Sequence, residues 1–548
     1  MTPSQTISAL RPPARSIESV LASRWARLAI PSLSDLFFLS VLIWLFMSSG
    51  AAGWQGLLVD GDVGWHLRTG EYILAHHSVP HHDLYSFSKP GAPWYAWEWL
   101  SDVIDGGLDR LAGLKGVVLA SGVILALFAT TLIRRMMWRN VHLFVALVVS
   151  LLGVGAASIH FLARPHIYTL LLLSFSMWIL EADRAGDRPA RIWWLVPITM
   201  VWTNLHGGFL VLIAVLGLTT LGSAIECALD KGSLSQLSKD WTSVEMWRKP
   251  IRYATVTVLC ALSSLVNPYG YGLHVHVVEY LRSDWIRNVI QEFQSPSFRT
   301  ENMMQFEALL FLGLVVAGRL IPRRQIAEGL WVLFFAYLSL SSVRHVPVFV
   351  TVTVPLIAAE LSIWWRDWTS SASKKSILAI LNQMAADSAS GFKRSSGWPA
   401  LVVLMLALMG PPIPWPKDFP KEIFPVAMVH AHEAEILESR ILTTDQWADY
   451  LIYTNPQQKV FVDGRSDFYG PEVGNEYLHL MNGQWDWQQI LAKYKFDLAL
   501  LPVESSLTQL LKQRPDWRVV EDDGKRVLLA PKATPVLPTP KSITEPRF

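Results

Sequence analysis

Long apolar runs separated by short polar or basic stretches dominate the first 413 residues, lying near 34–53, 115–133, 141–160, 166–182, 192–204, 207–226, 251–266, 305–321, 326–342, 345–363 and 398–413. A helix needs about 20 apolar residues to cross a bilayer, so the pattern predicts an α-helical polytopic membrane protein of about eleven spans. From about residue 430 the pattern becomes that of a small α/β unit. Arg440–Thr444, Lys459–Asp463, Asp497–Pro502, Trp517–Glu521 and Val527–Ala530 read as strands, with helical runs near 446–453, 486–494 and 506–513 between them.

Composition supports the membrane reading: 51% hydrophobic and 17% charged residues make a 548-residue chain too apolar for a soluble protein. The connections alternate in charge. Basic ones carry Arg11, Arg15, Arg24 and Arg27; Arg134, Arg135 and Arg139; Arg184, Arg188 and Arg191; Lys231, Lys239, Arg248 and Lys249; Arg319, Arg323 and Arg324; and Lys374, Lys375, Lys393 and Arg394. The positive-inside rule puts these on the cytoplasmic side.

The expected organisation is then a cytoplasmic tail at 1–33, a transmembrane domain at 34–413, an α/β domain outside the cytoplasm at 414–530, and a disordered Pro-, Thr- and Lys-rich tail at 531–548. The first apolar run is long enough to stay in the bilayer, so no cleavable signal is expected. Only Cys227 and Cys260 occur, both in or beside spans, which leaves the outer regions without disulfides or Cys-based metal sites. A net charge of +2 without a basic tract gives no sign of nucleic-acid binding.

The first outer loop, 54–114, is rich in Trp, Tyr, His and Pro. Trp65 to Leu74 and Trp94 to Asp109 have helical spacing and predict two interfacial helices with their tryptophans at headgroup depth. Asp60 and Asp62 follow the first span. Two carboxylates two residues apart can converge on one divalent cation, such as Mg or Mn, or divide into a general base and a group that orients it. Alternatively, Asp60-Gly61-Asp62 is a turn whose aspartate caps a helix beginning near Val63. Trp65 and His66 lie beside them as candidate substrate-binding residues. The pairs His76-His77 and His81-His82 match no zinc spacing.

Five further polar clusters fall on the same predicted side. Arg164-Pro165-His166 and Arg344-His345 interrupt apolar sequence, and a guanidinium at such a place suits a phosphate or carboxylate. Snorkelling to headgroups is the alternative for one arginine alone. Asn204-Leu205-His206-Gly207-Gly208 can form a broken helix lining a cavity or a tight hairpin turn. Asn267-Pro268-Tyr269-Gly270 is a turn signal first and a binding candidate second. Gln291-Glu292 lie in 271–304, which resembles another interfacial helix. In the C-terminal part, Asp463-Gly464-Arg465 ends a predicted strand and reads either as a ligand site or as a turn with internal salt bridges. No Gly-rich nucleotide-binding pattern is present.

Taken together, these residues resemble the GT-C glycosyltransferases, multi-span proteins that use polyprenyl-phosphate sugars and place an acidic motif in the first outer loop. The chain is most similar to a group of bacterial inner-membrane proteins of unassigned activity, sharing Asp60 to Leu67, Ala163 to Pro165, Asn204 to Gly208, Asn267 to Gly270, Ser342 to His345 and Asp463 to Arg465. It departs from better-known branches in having Asp-Gly-Asp where they often have Asp-Glu or Glu-x-Asp.

The resemblance implies inverting transfer of a sugar from a polyprenyl-phosphate carrier to a glycan, lipid or protein acceptor outside the cytoplasm. Asp62 would be the base and Asp60 its orienting partner or a metal ligand. Arg164, Arg344 and His345 would bind the donor phosphate, while Trp65, His66, His166, Asn204, His206, Asn267, Tyr269 and Glu292 would contact substrate. The expected location is the bacterial inner membrane, with the N-terminus inside and the C-terminal domain outside. A transporter or flippase of lipid-linked sugars, or a non-catalytic scaffold for an envelope-polymer enzyme, are the alternatives.

Overall fold

The computed structural model describes residues 28–47, 53–230, 244–371, 373, 375–410, 415–437 and 439–532. Most of the expected tails at 1–33 and 531–548 lie outside the described residues. So do Arg11, Arg15, Arg24, Arg27, Lys231, Lys239 and Lys374.

Each of the eleven apolar runs contains a helix. Among the described residues five helices are long and apolar enough to cross a membrane, at Leu114–Trp138, Leu143–His160, Phe209–Leu229, Glu301–Leu320 and Val343–Thr369. Leu33–Phe46, Ile326–Ser341 and Trp398–Leu408 are shorter apolar helices. The 192–204 run is not one continuous span. A 3-10 turn at Pro189–Trp194 precedes an 11-residue helix, Leu195–Leu205, which at 1.5 Å per residue is about 16 Å long, half of an apolar layer of about 30 Å.

The chain divides into two compact units. One comprises Met1–Leu57, Leu108–Val277 and Asn288–Lys417; the other comprises Leu58–Gly107, Val278–Arg287 and Asp418–Phe548.

In the first unit, Val346–Thr369 packs against Leu143–Ala157, Glu301–Leu320 and Ile326–Ser341. Small residues let these helices approach closely. Gly153 faces Val350 and Val354, and a Cβ on Gly222 would overlap the Ala327 backbone. Arginines predicted to mark the cytoplasmic side are paired with acids at the helix ends. Arg135 Nη2 donates to Glu181 Oε1 at 2.7 Å with both side chains buried, Arg184 Nε donates to Glu328 Oε1 at 2.8 Å, and Arg319 Nε donates to Glu360 Oε2 at 3.0 Å.

The two first-loop helices are Val63–His76, in the second unit, and Trp99–Ala112, which belongs to it as far as Gly107. The second starts five residues later than the pattern suggests, because the preceding segment is extended: His82 bridges Pro93, and Trp94 N donates to His81 O at 2.9 Å. Trp65 and Trp94 are buried and meet edge to face, because the pair crosses at two glycines. A Cβ on Gly70 would overlap the Asp102 carbonyl, and one on Gly106 would lie 2.8 Å from the Leu67 carbonyl.

Helix Asp445–Thr454, capped by Thr444 Oγ1 accepting from Trp447 N at 3.2 Å, packs on Val63–His76. The same unit therefore contains the first-loop helices and the C-terminal sheet. The sheet has four strands in the order β1-β2-β4-β3, with β1 Ile441–Thr443, β2 Leu498–Pro502, β3 Trp517–Asp522 and β4 Arg526–Pro531. β1 and β2 are parallel and the other pairs antiparallel. The predicted strand at Lys459–Asp463 is reduced to isolated bridges, Val460 meeting Ser86 and Ile441. Ser466–Met481 forms a further helix, kinked at Gly470. The 271–304 segment is not one interfacial helix. It breaks into Tyr271–Arg282, Asp284–Val289 and a 3-10 turn at Gln291–Phe293.

Gly70→Val should therefore destabilise the protein by about 3 kcal/mol or more through overpacking of a backbone crossing. Gly217→Ala, with nothing within 4 Å of the new methyl, should leave stability unchanged or raise it. The apparent thermal midpoint in detergent, read for both variants, checks the contrast.

Candidate functional site

The second unit holds the Asp60-Gly61-Asp62 turn. Its helix begins at Val63 as the capping alternative anticipates, but the Asp62 carboxylate accepts no N–H of the first turn. The Asp62 backbone is already helical there (φ −50°, ψ −29°). Asp60 instead closes the turn, its Oδ1 accepting from Asp62 N at 3.0 Å, and Gly61 N donates to Gln446 Oε1 at 2.6 Å. Asp62 is buried against Gly464, where any Cβ would overlap Asp62 Oδ1 and lie 2.8 Å from Asp449 Oδ2. Burial, reinforced by the charges of Asp62 and Asp463, holds the Asp449 carboxyl well above the usual carboxylate range.

Asp463-Gly464-Arg465 takes the turn-with-salt-bridges form. Arg465 grips Asp463 with two hydrogen bonds, Nε to Oδ1 at 2.8 Å and Nη2 to Oδ2 at 2.7 Å, and Nη2 also donates to Asp83 Oδ1 at 2.8 Å. Its guanidinium lies over the Trp94 ring at 4.6 Å and the Phe468 ring at 4.8 Å. His66 faces inward: its Nδ1 lies 2.6 Å from Asp102 Oδ1 and its Nε2 lies 3.6 Å from Glu98 Oε2. Burial, then Glu98 and Asp105, raises Asp102 well above its ordinary range. At 2% exposure His66 ties together the two first-loop helices. Among the described residues no three His, Cys, Asp or Glu side chains are placed to hold a metal ion.

The first unit holds the remaining sequence candidates, and Arg164, Arg344, His166 and His206 lie near Glu292. Arg164 lies in the turn before His166–Arg184, and its Nη1 donates to Glu292 Oε1 at 3.1 Å with side-chain exposures of 21% and 32%. Arg344 lies in the 3-10 turn Val343–His345, its guanidinium 4.4 Å from the centre of the Phe293 ring. Ser342 Oγ donates to Glu292 O at 2.8 Å and Val343 N to Gln294 O at 2.9 Å, fixing the Arg344 turn to the Glu292 turn. Burial works against the Glu292 carboxylate, but the charges of Arg164 and Arg344 outweigh it and hold Glu292 far below the usual range.

His206 follows Leu195–Leu205. Its Nδ1 lies 2.9 Å from Gly208 N, which can only donate, and 2.8 Å from Thr169 Oγ1, which accepts from Trp202 Nε1 at 2.9 Å. Nδ1 is therefore an acceptor, and the neutral ring carries its proton on Nε2. Burial first, then Arg344 and Arg164, pushes the His206 pKa down to about 3. A Cβ on Gly208 would overlap Thr169 Oγ1, so the glycine permits this geometry.

The other candidates have backbone partners. His166 Nε2 lies 2.6 Å from His160 O, Ser339 Oγ donates to His345 O at 3.0 Å, and Asn204 Nδ2 donates to Met200 O and Val266 O at 2.8 Å. Asn267 Nδ2 donates to Ser264 O at 2.9 Å while its Oδ1 accepts from Tyr269 N at 2.8 Å, closing the Tyr269 turn. Sequence reading missed Asp449, Asp102, Asp83, Thr169 and His160. Asp449 alone left a signal, a carboxylate beside the buried positions Ala448, Leu451 and Ile452 of one helix.

No family model matches the chain, and no curated protein matches it. Among solved structures it is similar to an oligosaccharyltransferase from Archaeoglobus fulgidus. The apo form aligns over 86% of this chain and 69% of that one, with a TM-score of 0.48 and 11% identity. The form tethered through a disulfide to an acceptor peptide containing the NVT sequon aligns over 88% and 70%, with the same score and identity. At that level the likeness assigns neither a fold family nor an activity.

Two outcomes follow from these environments. Arg465→Met, which leaves Asp463 and Asp83 buried without their cation, should cost about 3–5 kcal/mol of stability, read as a large fall in the thermal midpoint. For His206, whose pKa is lower in the folded state, the unfolded chain binds more protons between about pH 3 and 6.5, so stability is lost as pH falls through that window. His206→Gln should flatten this part of the stability–pH curve.

Proposed function

We propose that the chain is a membrane glycosyltransferase that moves a sugar from a polyprenyl-phosphate carrier to an acceptor outside the cytoplasm. The observation that carries this reading is the pair of arginines, Arg164 and Arg344, acting on the same Glu292 and His206 in turns between apolar helices. Cations held at such turns suit an anion that is itself anchored in lipid.

In the proposed reaction the acceptor hydroxyl attacks the anomeric carbon. The bond from that carbon to the phosphate oxygen breaks with its electron pair, and polyprenyl phosphate leaves with inversion at the carbon. Asp62 takes the hydroxyl proton and Asp60 holds the turn that presents Asp62. Charge grows on the leaving phosphate in the transition state, so fixed guanidiniums stabilise that state more than the ground state. His206 lies near them as a neutral ring whose Nδ1 accepts from Gly208 N. His66, tied to Asp102, supports the helix that follows Asp62. The eleven-span topology with the N-terminus inside belongs to the same proposal, and the alternating basic connections support it.

Purified protein in lipid, given labelled polyprenyl-phosphate hexoses and a crude envelope acceptor, should release polyprenyl phosphate. Asp62→Asn should lower turnover by about 10²- to 10⁴-fold and Arg344→Ala by about 10²- to 10³-fold. Binding without release across several sugars and acceptors would replace this reading with a transporter.

A further inference from the structure

Away from the candidate site, an apolar groove of about 460 Å³ opens between Leu143–Ala157 and the end of Val346–Thr369, with Phe144, Val148, Leu361, Trp364, Trp365 and Trp368 in its walls. Leu361 to Trp368 covers about 10 Å of helix at 1.5 Å per residue, so the groove lies in the last turns of an apolar helix, where tryptophan rings suit the boundary between acyl chains and headgroups. The same end is basic. Arg319 holds its guanidinium 5.2 Å from the centre of the Trp364 ring, while it and Arg323 donate to the two oxygens of Glu360 at 3.0 and 2.6 Å. At the start of the facing helix the His142 ring packs against Trp365 at 5.1 Å and Phe144 at 5.8 Å. Burial holds that ring below the ordinary imidazole range, and the nearby charge of Arg366 adds to the effect. Arg366 itself is exposed.

We propose that this groove is a binding site for an anionic glycerophospholipid, one acyl chain lying along Phe144, Val148 and Trp365 and the headgroup phosphate meeting Arg366 and Arg319. Charge complementarity selects the occupant. Apolar walls alone would take any acyl chain, whereas guanidiniums at headgroup depth favour an anionic lipid by about fivefold each. The protein builds the walls itself: Trp365 Nε1 donates to Asn382 Oδ1 at 2.8 Å and Asn382 Nδ2 donates to Thr369 Oγ1 at 3.1 Å, which fixes the Trp365 ring. Asn382 belongs to Ile377–Phe392, a helix that packs on Leu143–Ala157. Ile377, Ile380 and Met384 of that helix are exposed at a spacing that puts them on one face, and exposed Lys375 and Lys393 flank it. An apolar stripe between basic ends is the pattern of a helix lying on an anionic membrane surface, so the element that frames the groove points to the same lipid. This inference needs only that the chain sits in a membrane and is independent of the transferase reading.

The test uses the full chain in phosphatidylcholine nanodiscs doped with a trace of phosphatidylglycerol or of phosphatidylcholine that carries a diazirine in one acyl chain, and labelled peptides are located by mass spectrometry after illumination. Phosphatidylglycerol is expected to label residues 143–149 and 361–368 about fivefold or more above phosphatidylcholine. Val148→Trp, at a position exposed on the groove, should fill it and remove most of that labelling without moving the thermal midpoint, and Arg366→Gln should lower the preference about fivefold. Equal labelling by the two probes in wild type would overturn the inference, and this comparison decides even where a variant aggregates. So would a preference that survives Arg319→Gln and Arg366→Gln together, since the phosphate would then be held elsewhere. If neither probe labels the groove and the chain is instead a dimer that Val148→Trp separates, a second copy is the occupant and the lipid site falls.

Discussion

An ion in a dry or apolar setting needs a counter-ion, and this chain is organised around meeting that need. Arg135 and Glu181 are both essentially unexposed and hydrogen-bonded at 2.7 Å. Arg184 joins Glu226 and Glu328, and Arg319 and Arg323 share Glu360. In the other unit Arg465 holds Asp463 and Asp83 with side chains at 1% exposure or less. All but the Arg465–Asp463 contact link segments well apart in sequence, and removing one partner leaves a buried charge whose cost approaches a large part of a domain's stability. Such pairs are therefore structural cross-links as much as electrostatic ones.

The Arg164–Glu292 pair follows the same pattern of two arginines on one carboxylate seen at Glu181 and Glu360, with a more exposed carboxylate. Its side chains keep 21% and 32% exposure, and a second arginine acts on the same carboxylate. His206, in the same unit, is neutral, its Nδ1 accepting from Gly208 N.

Glycines decide where the charged groups can come together. Gly70 and Gly106 bring the first-loop helices close enough for His66 to reach Asp102, Gly464 makes room for Asp62 and Asp449, and Gly208 lets the backbone reach His206 Nδ1. At each of these positions a single methyl group would collide with the polar atoms that the arrangement depends on.

Much of this was legible in the order of residues. Apolar length marked the helices, because a span must satisfy its backbone internally and hide its polar side chains. The turn residues of Asn267-Pro268-Tyr269-Gly270 and Asp60-Gly61-Asp62 acted as their chemistry requires. The partners were not legible. That Glu292 would serve Arg164 and that Asp83 would share Arg465 with Asp463 depend on contacts 128 and 382 positions apart, and that residues 58–107 would belong with the C-terminal sheet depends on long-range contacts of the same kind. Local periodicity carries no information about such contacts, because it records which face of an element is apolar but not which other element will cover it.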